Sequence, residues 1–344
     1  MALKKKINLA LQGGGAHGAF TWGVLDRLLE ETDIEICGMS GTSAGALNGA
    51  ALKAGLAYDG RSGARENLEW LWSQVAGVSD LRMASWLAPF GVGILSNQIE
   101  YSWPFALSDV ISRATSPYSF GPFYKNPLSD IVARLDYDRV CADTAPAFFV
   151  GATRVRNGKI RIFQGYEIGP EALMASACLP TIFQAVEMYD ETTGQTEAFW
   201  DGGYTGNPAL FPLFADGLPD DIVIININPL ERADIPTTPQ QIQNRVNEIS
   251  FNSSLLRELR AIDFVQRLID EGTLSSDRMS RVRIHMIADD ALMEQLSAAT
   301  KMIPNIAVIS ALKESGRTAA EIFLRNDVDK IGKQSSVDLR AMFD

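Results

Sequence analysis

Two strand–glycine turn–helix units in direct succession constrain the fold of this chain more than any other feature of its sequence. An apolar run at 7–12 leads into a glycine-rich turn at 13–18, after which apolar residues recur at helical spacing. A second apolar run at 34–39 leads into a turn at 41–45 and a helix of small residues. Because alternating strands and helices form parallel sheets, the sequence predicts an α/β fold with a mostly parallel central sheet.

Elements of the same kinds are predicted along the rest of the chain. Strands are expected near 147–155, 159–165, 184–189, 197–200, 222–227 and 282–287, and helices near 62–77, 171–177, 239–272 and 318–324. Asn157-Gly158 predicts a hairpin between the first two of these strands. Residues 80–127 are rich in aromatic residues, proline and glycine, and we interpret them as an insertion of loops and short helices on the sheet.

Composition excludes several function classes. The 344 residues carry a formal charge of −11, which disfavours a nucleic-acid-binding face and tight electrostatic attraction to an anionic membrane. Hydrophobic contact with a lipid surface is compatible with this charge. Two histidines, His17 and His285, are too few for a multi-histidine metal site, and the three cysteines form no CxxC pair. No metal or other cofactor is expected.

No targeting segment is predicted. The three lysines at positions 4–6 precede a short apolar run, 7–11, where a cleavable signal peptide would need a longer one. The apolar region at 83–95 is interrupted by Pro89, Gly91 and Gly93 and is too short to span a bilayer. We therefore expect a soluble cytoplasmic protein without a transmembrane helix, whose membrane contact, if any, is peripheral.

The turn at 41–45 matches the nucleophile elbow G-x-S-x-G. In Gly41-Thr42-Ser43-Ala44-Gly45 the serine lies between a strand and a helix. The flanking glycines let neighbouring backbone approach the turn, and the helix N-terminus directs its amides at developing negative charge. Ser43 is the candidate nucleophile, and an ordinary turn of small residues is the alternative interpretation.

The turn at 13–18 allows two interpretations. Gly13, Gly15 and Gly18 satisfy the dinucleotide-binding fingerprint G-x-G-x-x-G, which also requires an acidic residue at the end of the next strand. That strand ends in the serine turn instead. The other interpretation, in which glycine amides form an oxyanion hole for the serine, fits the adjacent elbow better.

A nucleophilic serine needs a base, and three residues are candidates. His17 lies inside the first glycine turn, His285 lies on a late strand, and Asp201 precedes Gly202 and Gly203 where an apolar strand ends. A carboxylate at a strand end is well placed, because α/β proteins bind ligands at that edge of the sheet. A simple turn residue before two glycines is an equally good interpretation of Asp201 from the local sequence.

Together these motifs resemble those of the patatin-like lipid acyl hydrolases. The resemblance covers about residues 5–230. It consists of three motifs in this order along the chain: Gly-Gly-Gly-x-x-Gly, Gly-Thr-Ser-Ala-Gly and Asp-Gly-Gly. Two further matches are Ala175-Ser176-Ala177, which leads to Pro180, and Asn207-Pro208. It implies a Ser–Asp dyad without histidine, an acyl-enzyme intermediate and hydrolysis of lipid acyl esters, as in phospholipase A, lysophospholipase or esterase activity.

The resemblance also implies a role for each matching residue. Ser43 becomes the nucleophile and Asp201 its base. The remaining residues form the oxyanion hole (Gly13, Gly14, Gly15 and Ala44) or support the motifs (Gly18, Gly41, Gly45, Gly202 and Gly203). His17 departs from the Arg or Lys that is more frequent at this position in the family. A histidine there can hold the first glycine turn either by a neutral hydrogen bond or as a protonated cation.

The domain organisation combines this resemblance with the sequence pattern. The resemblance implies a patatin-like catalytic core of three α/β/α layers over 5–240, and the aromatic-rich insertion at 80–127 is interpreted as a lid, an acyl pocket or satellite core. No motif is recognised beyond about residue 240, so the mainly helical C-terminal extension over 241–344, packed on the core, is expected from the pattern of apolar residues alone. The expected partner is a lipid or another acyl-ester substrate, not nucleic acid.

Other functions are compatible with the sequence. Ser43, Asp201 and His285 occur in the chain order of a Ser–Asp–His triad, although a histidine on one face of an alternating strand is more typical of a structural residue. A nucleotide-binding module would use the first glycine turn, but no Walker lysine follows that turn. A patatin fold without catalytic activity is a further interpretation, and the intact Ser43 and Asp201 count against it.

Overall fold

The computed structural model describes residues 4–77, 116–144, 146–275 and 281–343. Its strands are β1 (Lys5–Leu11), β2 (Ile34–Gly41), β3 (Ala147–Arg154), β4 (Ile160–Gln164), β5 (Val186–Asp190), β6 (Gln195–Asp201), β7 (Asp221–Ile225) and β8 (Arg283–Ile287). Its helices are α1 (Gly18–Leu28), α2 (Ala44–Val75), α3 (Ser129–Val132), α4 (Tyr137–Val140), α5 (Pro170–Ser176), α6 (Pro239–Asp270), α7 (Asp290–Met293), α8 (Ala298–Met302), α9 (Ile306–Asn326) and α10 (Leu339–Phe343).

The strands form one mixed sheet. Its order is β5-β6-β3-β2-β1-β7-β8, with β4 paired to β3. The five strands from β3 to β8 along this order are parallel, whereas β4, β5 and β6 pair in antiparallel fashion. The predicted mostly parallel α/β sheet is confirmed. Leu11 pairs with Gly41, so the two glycine turns leave neighbouring strands side by side at the same edge.

Helices cover both faces of the sheet because its central strands are apolar on both faces. Leu9 and Leu11 of β1 belong to a large core shared with α1, α2 and α9. Ala10, between them, belongs to a second core shared with α6 and α10. In β7, Val223 belongs to the large core and Ile224 belongs to the second core. This alternation produces the expected three-layer α/β/α arrangement.

Most predicted elements are present, with two differences in extent. The helix predicted near 62–77 is continuous with the helix after Ser43, and the two halves meet at a kink where Asp59 and Gly60 leave helical geometry. The helix predicted near 318–324 is the last third of the longer α9. The predicted hairpin is confirmed, since β3 and β4 pair on either side of Asn157-Gly158. The spacing of apolar residues therefore predicted the presence of these elements more accurately than the residues at which each one begins and ends.

The C-terminal part of the chain joins both the sheet and a helical layer. β8 pairs with β7 at one end of the sheet. Helix α9 crosses α1 at very short range, with Gly23 against the carbonyl of Lys313 and Gly316 against the carbonyl of Phe20. Any side chain at either glycine would collide with backbone, so these glycines permit the close crossing.

Most of the insertion predicted at 80–127, namely 80–115, lies outside the described residues, and with it the aromatic residues Trp86, Phe90, Trp103 and Phe105. Its final part packs on the segment that precedes β5. The hydroxyl of Tyr118 accepts a hydrogen bond from the Ala185 N–H (3.1 Å), and that of Tyr124 accepts one from the Gln184 N–H (3.2 Å). Over the ranges described, no helix combines the length and apolar character needed to cross a membrane.

Candidate active site

Ser43 adopts a backbone conformation that side chains other than glycine rarely adopt. It lies between β2 and α2 with φ 54° and ψ −123°, and among the described residues no other non-glycine residue has a positive φ. Such a conformation costs about 1–3 kcal/mol and occurs mainly at functional sites. The strain indicates that the surrounding structure holds this serine in place.

The neighbours of Ser43 allow the sharp turn. A side chain at Gly41 would lie 2.7 Å from the carbonyl oxygen of Gly45, and one at Gly45 would collide with the carbonyl of Leu11. The Thr42 hydroxyl donates to the Gly206 carbonyl (2.7 Å). The motif glycines are therefore required by the close approach of backbone from β1 and from α2 itself.

A hydrogen bond from the backbone of Ser43 ties the turn to α5. The Ser43 N–H donates to the hydroxyl of Ser176 (2.9 Å), which in turn donates to the carbonyl of Gly151 on β3 (2.7 Å). The Ser43 amide is therefore occupied, and it does not serve as an oxyanion donor in this arrangement.

Asp201 is held at three points where β6 ends. Its N–H donates to the Cys178 carbonyl (2.8 Å), its carbonyl accepts from the Thr153 hydroxyl (2.8 Å), and its Oδ1 accepts from the Gly203 N–H (2.7 Å). The residue is only 1% exposed. Burial raises the pKa of Asp201 to about 7, although the hydrogen bond from the Gly203 N–H and the nearby Ser43 hydroxyl oppose the shift.

The structure brings Ser43 and Asp201 together. The Ser43 hydroxyl is near enough to lower the pKa of the Asp201 carboxyl, yet Oδ2 of Asp201 has no hydrogen-bond partner among the described residues. The two side chains are therefore close neighbours outside hydrogen-bond geometry. Such contacts in a site without substrate commonly tighten when the substrate binds.

The first glycine turn lies against Ser43. A side chain at Gly13 would lie 2.8 Å from Cβ of Ser43. The Gly13 N–H donates to Oδ1 of Asn207 (2.7 Å), and Nδ2 of Asn207 donates back to the Gly13 carbonyl (3.3 Å). Gly14 and Gly15 follow, and their N–H groups donate to no acceptor in the described part of the chain. Of the three glycines predicted as oxyanion donors, Gly13 is thus already engaged.

Ala44 and Gly18 complete the contact between the two turns. Ala44 is the first residue of α2, so its N–H has no partner within the helix. A side chain at Gly18 would lie 2.7 Å from Cβ of Ala44, which shows how closely α1 and α2 begin side by side. The N-termini of both helices, which carry partial positive charge, thus lie side by side next to Ser43.

His17 anchors the glycine turn as a neutral side chain. Burial, and to a smaller extent Lys301, holds the pKa of His17 well below its usual value. The Thr300 hydroxyl donates to the carbonyl of Ser297 (2.7 Å), so it accepts from Nε2 of His17 at 2.8 Å. His17 therefore carries its proton on Nε2 and replaces a charged anchor by a neutral hydrogen bond.

His285 is not near Ser43. It is fully buried in β8, and its Nε2 lies 3.0 Å from Oδ1 of Asp221, the first residue of β7. Asp221 stands at the sheet edge opposite to the one where Ser43 follows β2. A Ser43–Asp201–His285 triad is therefore not formed.

Two cavities of the described structure lie away from Ser43 and Asp201. A cleft of about 570 Å³ is lined by Asp26, Arg65 and Lys313, and a smaller cavity of about 90 Å³ lies near 213–222. Neither is bordered by Ser43 or Asp201. Within these ranges no three His, Cys, Asp or Glu side chains are grouped to hold a metal ion.

Comparison with known proteins assigns the family. A family model described as patatin-like phospholipase matches residues 9–214, which include both glycine turns and Asp201. The chain belongs to the patatin-like phospholipase family. Its structure is similar, with a TM-score of 0.39, to the crystal structure of VipD from Legionella pneumophila, at 13% identity and with coverage of 95% of this chain and 67% of that one. No curated protein matches the sequence.

Some residues that shape this patatin-like site had no functional assignment from sequence. Ser176 and Asn207 lie within motifs that supported the resemblance, and the structure adds their contacts with Ser43 and Gly13. Thr300 lies outside the family match and carries no motif. Its contact with His17 spans 283 residues, so no local pattern could have indicated it.

Proposed function

We propose that this patatin-like phospholipase hydrolyses acyl esters of lipids through a dyad of Ser43 and Asp201. The observation that carries the proposal is a strained serine beside a buried carboxylate whose Oδ2 has no partner among the described residues. The family match supports lipids as the substrate class. Phospholipase A, lysophospholipase and simple esterase reactions share this chemistry.

In the acylation step, Oγ of Ser43 forms a bond with the ester carbonyl carbon while its proton passes to Oδ2 of Asp201. The tetrahedral oxyanion accepts hydrogen bonds from the N–H groups of Gly14, Gly15 and Ala44. Collapse of this intermediate breaks the ester C–O bond, and the departing alcohol takes the proton from Asp201. In deacylation, water attacks the acyl-enzyme with Asp201 as base, which releases the fatty acid and restores the Ser43 hydroxyl.

The environment of Asp201 supports its role as the base. An exposed aspartate would be too weak a base for a serine hydroxyl near neutral pH. Burial raises the pKa of Asp201 to about 7, close to the range in which general bases are most effective. Oδ1 of Asp201 is occupied because it accepts a hydrogen bond from the Gly203 N–H. Oδ2 is therefore the oxygen that accepts the proton of Ser43.

The proposal is tested with p-nitrophenyl butyrate, p-nitrophenyl palmitate and lysophosphatidylcholine as substrates. Ser43→Ala and Asp201→Asn are expected to lose activity by roughly 1000-fold or more with their folding intact. Ser253→Ala is a matched control, because the Ser253 hydroxyl donates to the Ser250 carbonyl within α6 (2.8 Å). Wild-type rates in a folded Ser43→Ala variant would overturn the proposal. The preferred substrate among the three would distinguish long-chain lipid hydrolysis from simple esterase activity.

A further inference from the structure

A short segment near the C-terminus, residues 297–301, packs on the first glycine turn. Thr300 bonds His17, and the carbonyl of Lys301 lies so close to Gly15 that any side chain there would collide with it. Gly15 has φ 58°, a conformation that favours glycine. This segment lies outside residues 9–214, the range of the family match. The C-terminal part of the chain therefore shapes a turn that belongs to the family core.

Two hydrogen bonds connect the Lys301 side chain to the glycine turn. Its ammonium donates to Oδ1 of Asn228 (2.8 Å), and Nδ2 of Asn228 donates to the carbonyl oxygen of Gly13 (2.9 Å). Asn228 also lies near Gln12, whose Oε1 accepts from the Asn228 N–H at 3.1 Å. The lysine thus holds the amide orientation in which Asn228 presents its donor to Gly13.

The Gly13 carbonyl and the Gly14 N–H belong to one peptide group. A trans peptide is planar, so its C=O and N–H point in opposite directions, and fixing one fixes the other. A hydrogen bond accepted by the carbonyl also polarises the peptide and strengthens its N–H as a donor. The contact between Asn228 and Gly13 therefore directs the Gly14 N–H, which has no acceptor among the described residues.

Three titratable groups face the Lys301 ammonium. Glu248 on α6 attracts it, Arg232 after β7 repels it, and His17 in the glycine turn is neutral. Glu248 is itself bonded to Arg232 (2.6 and 2.8 Å) and to Arg245 on α6 (3.4 Å), so the acid is shared among three cations. Lys301 is partly exposed as a residue, but its ammonium is enclosed, and burial lowers its pKa to about 8.

We infer that Lys301 is a positioning residue of the oxyanion hole, where its ammonium orients Asn228 and, through the Gly13 carbonyl, the Gly14 N–H. Lys301 supplies from the C-terminal part of the chain a positive charge beside the turn in which His17 is neutral. The inference rests on the proposed function, because it requires the Gly14 amide to receive the oxyanion.

The test compares kcat and KM of the wild type, Lys301→Met, Lys301→Arg and Asn228→Asp on p-nitrophenyl butyrate. Lys301→Met is expected to lower kcat by about 10- to 100-fold, less than the loss of a whole oxyanion donor, with KM nearly unchanged. Lys301→Arg should recover most of this loss. Asn228→Asp keeps an acceptor for Lys301 but removes the shorter of the two side-chain hydrogen bonds to the Gly13 carbonyl (2.9 Å from Asn228, against 3.3 Å from Asn207). We therefore expect kcat to fall to a similar extent.

The dependence of kcat on pH gives a second readout. If Lys301 had only a structural role, its titration would not change this dependence. Wild-type kcat should fall above about pH 8 as Lys301 loses its proton. This alkaline decline should be absent in Lys301→Arg, since arginine stays charged. Lys313→Met is the matched control, because burial also lowers the pKa of Lys313, and its ammonium lies over Trp22 on the α1 side of the molecule.

The outcomes separate this inference from the proposed function. If Ser43→Ala is as active as the wild type, the proposed function itself fails. If Ser43→Ala is inactive while Lys301→Met and Asn228→Asp keep wild-type kcat, only the inference is overturned. An effect of Lys301→Met on KM alone would also overturn it. Should Lys301→Met fold poorly, Asn228→Asp and the pH profile of Lys301→Arg still decide the matter.

Discussion

The hydroxyl of Ser176 holds the peptide of Ser43 in place, accepting from its N–H while donating to β3 through Gly151. The strained conformation of Ser43 is thus supported from α5 as well as by its flanking glycines. Because an unsupported strained residue relaxes, Ser176 is expected to affect catalysis without touching substrate.

Ser176→Ala is expected to lower kcat by about tenfold and the free energy of unfolding by about 1–3 kcal/mol, because it leaves the Ser43 N–H buried without a partner. Kinetics on p-nitrophenyl butyrate and urea denaturation measure the two effects. Ser73→Ala, at a buried serine whose hydroxyl bonds the Trp70 carbonyl, is the control for stability. Unchanged kcat in a destabilised Ser176→Ala variant would limit Ser176 to a structural role.

Asp201 should make stability depend on pH. Its pKa rises from 3.8 to about 7 on folding, so the folded protein binds the proton more tightly than the unfolded chain. The free energy of unfolding should therefore fall as pH increases from about 4 to about 7. Above that range, the destabilisation caused by the ionised Asp201 carboxylate stays constant. The shift corresponds to at most about 4 kcal/mol.

Asp201→Asn, neutral at every pH, is expected to raise Tm at pH 8 and to leave it nearly unchanged at pH 4. Thermal denaturation of both proteins across this range gives the difference. Burial also raises the pKa of Glu258 to about 7. Because Glu258 is present in both proteins, the difference in Tm between them reports the titration of Asp201 alone. Equal Tm differences at both pH values would show that the Asp201 carboxyl does not titrate as described. Wild-type kcat should increase through pH 7 as the base ionises.

His285→Gln should leave catalysis intact. His285 bonds Asp221, whose pKa is lowered to about 2 because hydrogen bonds from His285, Arg283 and Gly332 outweigh burial. We expect kcat per folded molecule within about twofold of the wild type and a loss of about 1–3 kcal/mol in unfolding free energy. Active-site titration with a phosphonate alongside calorimetry separates the two. A folded variant as inactive as Ser43→Ala would restore the triad hypothesis.

Gly15→Ala should inactivate the enzyme, because the added methyl meets both a positive φ and the carbonyl of Lys301. Gly158→Ala is a matched control, since Gly158 has φ 66° in the β3–β4 hairpin and open space around it. Both variants should lose about 1 kcal/mol from backbone strain. Only Gly15→Ala should lose activity in the ester assay, and equal activity in the two variants would contradict the close contact with Lys301.

Sequence alone located the parts of the site that depend on local geometry. The two glycine turns follow apolar strands, and only glycine tolerates the backbone contacts at Gly41 and Gly45. The period of apolar residues predicted β1, β2 and the helices after them, because burial on both faces of a parallel sheet requires continuous apolar strands. The hairpin at Asn157-Gly158 was predicted from the sequence in the same way, because it depends on the geometry of a turn of two residues.

Only the tertiary structure decided how these parts act on one another. β6 lies beyond β3 from β2 in the sheet, and this strand order brings Asp201 to Ser43 across more than 150 residues of sequence. The raised pKa of Asp201 comes from burial by the surrounding chain. The neutral anchor of His17 needs Thr300, 283 residues away. Such contacts depend on how strands and helices pack together, whereas a sequence motif reports only the backbone geometry of its own few residues.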